Sequence, residues 1–164
     1  MQTKSLETLY IDTLKDIYFA ERQILKALPK MERAAQSPQL KEAFRSHRQE
    51  TEGQVERLQQ VFDLAGKRAQ GKTCPAILGL LDEGAEIIEE YEGSPALDAA
   101  LAAVAQAVEH YEIARYGALS TWAGLLGQNQ AVKLLEETLA QEAHADTALG
   151  EVAAKVNPVA MAAE

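Results

Sequence analysis

The sequence predicts an all-α protein built as a four-helix bundle, and three observations carry that reading. Ala, Leu, Glu and Gln dominate a chain with 5% aromatic residues and five prolines, a composition typical of helical proteins. Four long segments repeat apolar residues at alternating steps of four and three, the heptad of a bundle. Two tight turns and one long connection join them. At 164 residues the chain fits a single domain over residues 1–164, large enough to bury a core.

Ser5 to Ala35 reads as the first helix. Its inward stripe is Tyr10, Leu14, Ile17, Glu21, Ile24, Leu28, Met31 and Ala35. Pro29 lies inside it and predicts a kink or local break, because proline lacks the N–H that closes the preceding turn. Ser37-Pro38 is a capping residue followed by proline at the first helical position. The second helix runs from Pro38 to Ala65, with stripe Leu40, Phe44, His47, Thr51, Gln54, Leu58, Val61 and Ala65. Gly66 stops it. Residues 66–93 form the connection, in which Pro75 to Tyr91 reads as a shorter amphipathic helix with Ile77, Leu80, Leu81 and Ile88 inward. Gly79 and Gly84 weaken it.

Ser94-Pro95 repeats the cap-and-proline signal and opens a third long helix, Pro95 to Leu126. Its seam is Leu101, Ala105, Val108, Glu112, Tyr116, Leu119, Ala123 and Leu126, and Gly127 stops it. The fourth runs from Asn129 to Val156, with stripe Ala131, Leu135, Thr138, Glu142, Ala145, Leu149, Val152 and Val156. Asn157-Pro158 is expected to end it, with the last residues frayed. The short turns make two antiparallel hairpins. The middle connection is long enough to return along a helix of roughly 40 Å at about 1.5 Å per residue. One long crossover between the second and third long helices is the ferritin-like arrangement.

The same registers carry acids where leucine belongs. Glu21, Glu112 and Glu142 occupy core slots, and Glu50 borders one. A buried acid costs free energy unless something compensates it, and one on every long helix at matched depth points to a buried metal pair. Glu21 and Glu50 are 29 positions apart and Glu112 and Glu142 are 30 apart, so the two hairpins place their acids alike. Carboxylates and imidazoles on facing helices are the donors of di-iron and di-manganese centres. The candidate ligands are Glu21, His47, Glu50, Glu109, Glu112, Glu142 and Asp146. Glu50 and Glu142 are the candidate bridges. Glu109 lies one turn before Glu112, and Asp146 one turn beyond Glu142. The usual di-iron pattern is Glu-x-x-His on two helices. Here the second helix has the reverse order, His47-x-x-Glu50, so the site reads as carboxylate-rich and nitrogen-poor. Tyr18 and Tyr116 lie one turn from Glu21 and Glu112, where each packs in the core or donates a hydrogen bond. Gln54 reads as support for a ligand, and His110 as a packing or hydrogen-bonding residue.

The chain resembles the YciF/YciE family of ferritin-like bacterial stress proteins over nearly its whole length. The resemblance rests on Leu14 to Glu21, Ala27 to Met31, His47, Glu50-Thr51, the stretch from Cys74 to Leu80, Val108 to Ala114 with Tyr116-Gly117, Leu134-Leu135 and Thr138-Leu139. It implies a ferritin-like fold, a part in stress responses and a homodimer. Rubrerythrins also offer two carboxylates three apart on the third helix, as Glu109 and Glu112 are here. Two metal ions are expected, iron first, with manganese or zinc as alternatives. One functional reading is a di-iron oxidoreductase of ferroxidase or peroxidase type. The single cysteine, Cys74, leaves no Cys-x-x-Cys electron-transfer pair, so such an enzyme requires an external reductant. The other reading is a non-enzymatic metal-binding stress or structural protein acting through dimerisation or a protein partner.

The net charge of -9 and pI near 4.9 argue against nucleic acid and anionic membranes as partners. Cys74 cannot form an intramolecular disulfide and reads as a small buried hydrophobe. No apolar leader or run of about 20 apolar residues is present, and the chain is expected to be cytoplasmic.

Overall fold

A computed structural model describes residues 3–162, which form five helices: α1 (Leu6–Ala34), α2 (Pro38–Leu64), α3 (Pro75–Glu90), α4 (Leu97–Leu125) and α5 (Asn129–Met161). The tight turns fold α1 onto α2 and α4 onto α5. The hairpins then dock through α1 on α4 and α2 on α5, while α3 lies in the crossover against α1 and α4. This is the ferritin-like bundle with one long crossover.

The heptad stripes become the core. All eight stripe residues of α1, from Tyr10 to Ala35, are buried, as are Leu40 to Val61 on α2. Ser5 accepts from the Thr8 N–H at 3.1 Å and Ser37 from the Leu40 N–H at 3.4 Å, each satisfying a donor the first turn leaves open. Gly66 and Gly127 end α2 and α4 at φ +64° and +74°. Each closes paired bonds: Lys67 N–H to the Phe62 carbonyl with Gly66 N–H to Asp63, and Gln128 N–H to Ala123 with Gly127 N–H to Gly124. This paired closure needs a left-handed residue, which glycine supplies without strain.

Three proline readings need correction. α1 is continuous through Pro29, held by the burial of Ile24, Leu28 and Met31 on both sides. α5 passes through Pro158 and ends at Met161. Ala154, whose carbonyl loses its helical donor there, is exposed, so water can serve it. Residues 157–161 are thus helical rather than frayed, and residues 163–164 lie outside the described residues. α4 begins at Leu97, two residues after Pro95, and no side chain caps it. Ser94 instead accepts from Ala96 N–H within the turn.

The cause of that late start is Asp98. Buried in the first turn of α4, it accepts from the backbone N–H groups of Gln36 at 2.7 Å and Ser37 at 2.6 Å. One carboxylate thus satisfies the α1–α2 turn and fixes α4 beside it, through short charge-assisted bonds. We expect Asp98→Ala to destabilise the protein by about 2–3 kcal/mol, because two part-buried backbone N–H groups lose a charged acceptor. Urea denaturation checks this, and a change under about 0.5 kcal/mol, the range of ordinary surface substitutions, would contradict it.

Candidate metal centre

Midway along the bundle, three long helices aim donors at one point. His47 from α2, Glu109 and Glu112 from α4 and Glu142 from α5 each place a ligand atom within 4.8 Å of the others. His47 Nε2 lies 3.2 Å from Glu109 Oε1 and 3.9 Å from Glu112 Oε2. The step of three from Glu109 to Glu112 puts both on one face of α4. None of these side chains is more than 7% exposed, and Glu112 and Glu142 are fully buried. Glu21 from α1 is also fully buried and charge-coupled to Glu112 and Glu142.

These donors lack hydrogen-bond partners. His47 Nδ1, Oε2 of Glu21, Oε2 of Glu109 and both carboxylate oxygens of Glu112 and Glu142 are buried without one, and His47 Nε2 has only the ion-pair contact to Glu109. Buried polar atoms in a folded protein are nearly always satisfied, and a concentration of unsatisfied donors such as this could hold a cation. The electrostatics agree. Burial, then the charge of Glu142, pushes Glu21 up to about 8. Burial first, with Glu142 alongside, pushes Glu109 up to about 12. Burial and then the charge of Glu21 hold Glu112 well above the usual carboxylate range. Without a cation the cluster keeps protons, because adjacent desolvated carboxylates cannot all ionise.

The polar side chains nearby hold the ligands in place. Tyr116, fully buried, donates to Glu21 Oε1 at 2.5 Å. Arg57 reaches from α2 to α5, donating to Thr138 Oγ1 at 3.1 Å and Gln141 Oε1 at 3.0 Å and pairing with Glu137 at 2.9 Å. Its charge also acts on Glu21. Gln54 donates to Gln141 Oε1 at 3.3 Å.

The seven expected ligands separate into two groups. His47, Glu109, Glu112 and Glu142 meet, and Glu21 adjoins them. Glu50 and Asp146 are not in the cluster. The buried line of α2 passes through His47, Thr51 and Gln54, so Glu50 falls on its flank, half-buried. Asp146 sits on the side of α5 toward α4, taken by His110 at 3.1 Å and Gln106 at 3.3 Å. Tyr18 does not face the site; its ring packs edge-on against Phe62. Arg57 has no sequence signal beyond being a cation near the α2 stripe.

A family model described as a domain of unknown function, DUF892, matches residues 5–161. Protein YciF of Escherichia coli K12 is 44% identical over 154 residues, which is 93% of each chain. The crystal structure of the E. coli stress protein YciF superposes with a TM-score of 0.91 at 43% identity, covering 95% of this chain and 99% of that one. YcfI of Rhodopseudomonas palustris superposes at 0.87 and 48% identity, covering 90% and 94%. A protein of Xanthomonas campestris, 22% identical with a TM-score of 0.71, shares the fold.

The raised carboxyls set the sign of the pH dependence in metal-free protein. The folded chain keeps protons that the unfolded chain releases above about pH 4.5, so stability falls as pH climbs from there toward 8, the range set by Glu21. The slope is roughly 1.4 kcal/mol per pH unit for each such proton. Urea midpoints of chelator-treated protein at pH 5, 6.5 and 8 test this. Glu112→Gln should flatten the decline, and stability that rises across the window would refute the electrostatic account.

Proposed function

The chain belongs to the DUF892 family, and from that premise we propose that it is a metal-binding stress protein whose central cluster holds two divalent cations. The carrying observation is the set of buried, unpartnered carboxylate and imidazole atoms. Four carboxylates, Glu21, Glu109, Glu112 and Glu142, match the charge of two such ions. His47, Glu109, Glu112 and Glu142 would hold one, and Glu21 would join Glu112 and Glu142 around the other. Mixed carboxylate and imidazole donors suit iron, manganese or zinc, and iron leads on the carboxylate-rich balance of the set.

When bound, redox-active metal would supply one-electron chemistry toward oxygen or peroxide. The residues contribute binding and orientation. His47 gives a nitrogen donor among acids. Tyr116 fixes one oxygen of Glu21 and leaves the other open. Arg57 braces α2 against α5 and moderates the excess negative charge. Electrons would come from an outside reductant, since the chain has one cysteine. A homodimer and a cytoplasmic setting belong to the same proposal; among the described residues, no helix is long and apolar enough to cross a membrane. The name of E. coli YciF as a stress protein supports the biological setting. A second reading is that the centre only braces the fold, and it is favoured by the provisional assignment of the R. palustris relative as a structural protein.

Metal analysis followed by Fe(II) oxidation under oxygen or peroxide separates these readings. We expect about two metals per chain and oxidation at least tenfold above buffer. Glu112→Gln with Glu142→Gln should lose both. Retention of two metals by that variant would sink the site. Metal binding with oxidation no faster than buffer would leave the structural reading standing. Tyr116→Phe should bind metal about tenfold more weakly, the usual loss when a ligand's supporting bond is removed.

A further inference from the structure

Beside the cluster, in the direction of the α1–α2 turn, the four long helices do not meet. They leave a cavity of about 110 Å³. Its walls are mainly apolar, with Phe44, Met31 and Leu149 among them, and each long helix contributes an alanine: Ala27, Ala43, Ala105 and Ala148. A bundle that closed on itself would carry larger residues at some of these four positions. The void is therefore spread over all four helices and is not a local packing fault.

One wall is different. His47 and Glu109 line the cavity, and His47 Nδ1 and Glu109 Oε2 are buried without a hydrogen-bond partner. The rim, between α2 and α5, carries exposed Ser46 and His144 and half-buried Glu50. The imidazole of His47 and the carboxyl of Glu109 together present donor and acceptor atoms, and one hydroxyl, itself donor and acceptor, can meet an atom of each. Acidic Glu50 at the rim disfavours an anion, and the apolar lining disfavours any charged head.

We propose that this cavity binds a small uncharged molecule with one hydroxyl group, its apolar body against Phe44 and Leu149 and its hydroxyl toward His47 and Glu109. The size follows from the volume: a dry apolar cavity of about 150 Å³ accepts benzene, so this smaller one takes an occupant of at most about six non-hydrogen atoms. The centre then has a private entrance for a neutral organic molecule, in addition to whatever reaches it as a cation.

The test uses metal-free full-length protein, so its outcome is independent of whether the centre binds metal. Pentanol and pentanoate, equal in chain length and different in charge, are titrated while the His47 ring resonances are followed by NMR. Pentanol should move them with saturation in roughly the millimolar range, typical of so small a ligand, and pentanoate should not. Ala148→Leu, which fills the cavity from α5, should abolish the pentanol response with helix content unchanged. Ala27→Leu does the same from α1 should Ala148→Leu fail to fold. Unmoved His47 signals in the wild type, an equal response to pentanoate, or a wild-type response in a folded filled variant would each overturn the proposal.

Discussion

The constraint on which the rest depends is the cost of placing Glu21, Glu109, Glu112 and Glu142 where a bundle would place leucine. Each is 2% exposed or less. A charged carboxylate in so dry a place is expensive without a counter-charge, and without one the acids share protons among themselves, Glu21 with Glu112 and Glu109 with Glu142. The surroundings are arranged around that cost. Tyr116 satisfies one oxygen, Arg57 supplies a nearby cation, and His47 sets its Nε2 3.2 Å from Glu109. What is left unsatisfied is what a bound cation would satisfy.

Much of this was legible in the sequence because heptad register is a strong geometric statement. Glu21, Glu112 and Glu142 occupy repeats whose neighbours are Leu, Ile, Val and Ala, so their burial followed from periodicity alone. Glu109 followed from its step of three. Glu50 and Asp146 fall outside the four-residue cluster, and periodicity does not settle such positions: each sits one position off a stripe, where a small rotation of the helix decides between core and flank. The ends were least legible. Ser94-Pro95 has the form of a helix start, but the pull of Asp98 on the α1–α2 turn lies 61 residues away in sequence, beyond any local pattern. Arg57 escaped because a long side chain acts far from its own backbone.

Stability and chemistry draw on the same residues here. The acids that would bind metal are also those that weaken the metal-free fold at neutral pH. Retaining them is sensible for a protein that works loaded, and their neutral isosteres would give a sturdier bundle with no centre. The structural and oxidative readings differ in what the ions do after arrival, not in why the acids are there.

The division of the ligands between hairpins has a consequence for how the molecule comes together. The α1–α2 hairpin owns Glu21 and His47, and the α4–α5 hairpin owns Glu109, Glu112 and Glu142. Neither hairpin has a full set. Each can fold through its own short-range contacts, but the centre exists only once the two have docked. A cation held there would therefore act as a rivet between two preformed halves, favouring the docked state over separated hairpins by its own binding free energy. Asp98, reaching from α4 into the opposite hairpin's turn, makes the same kind of join at the end of the bundle without any ion.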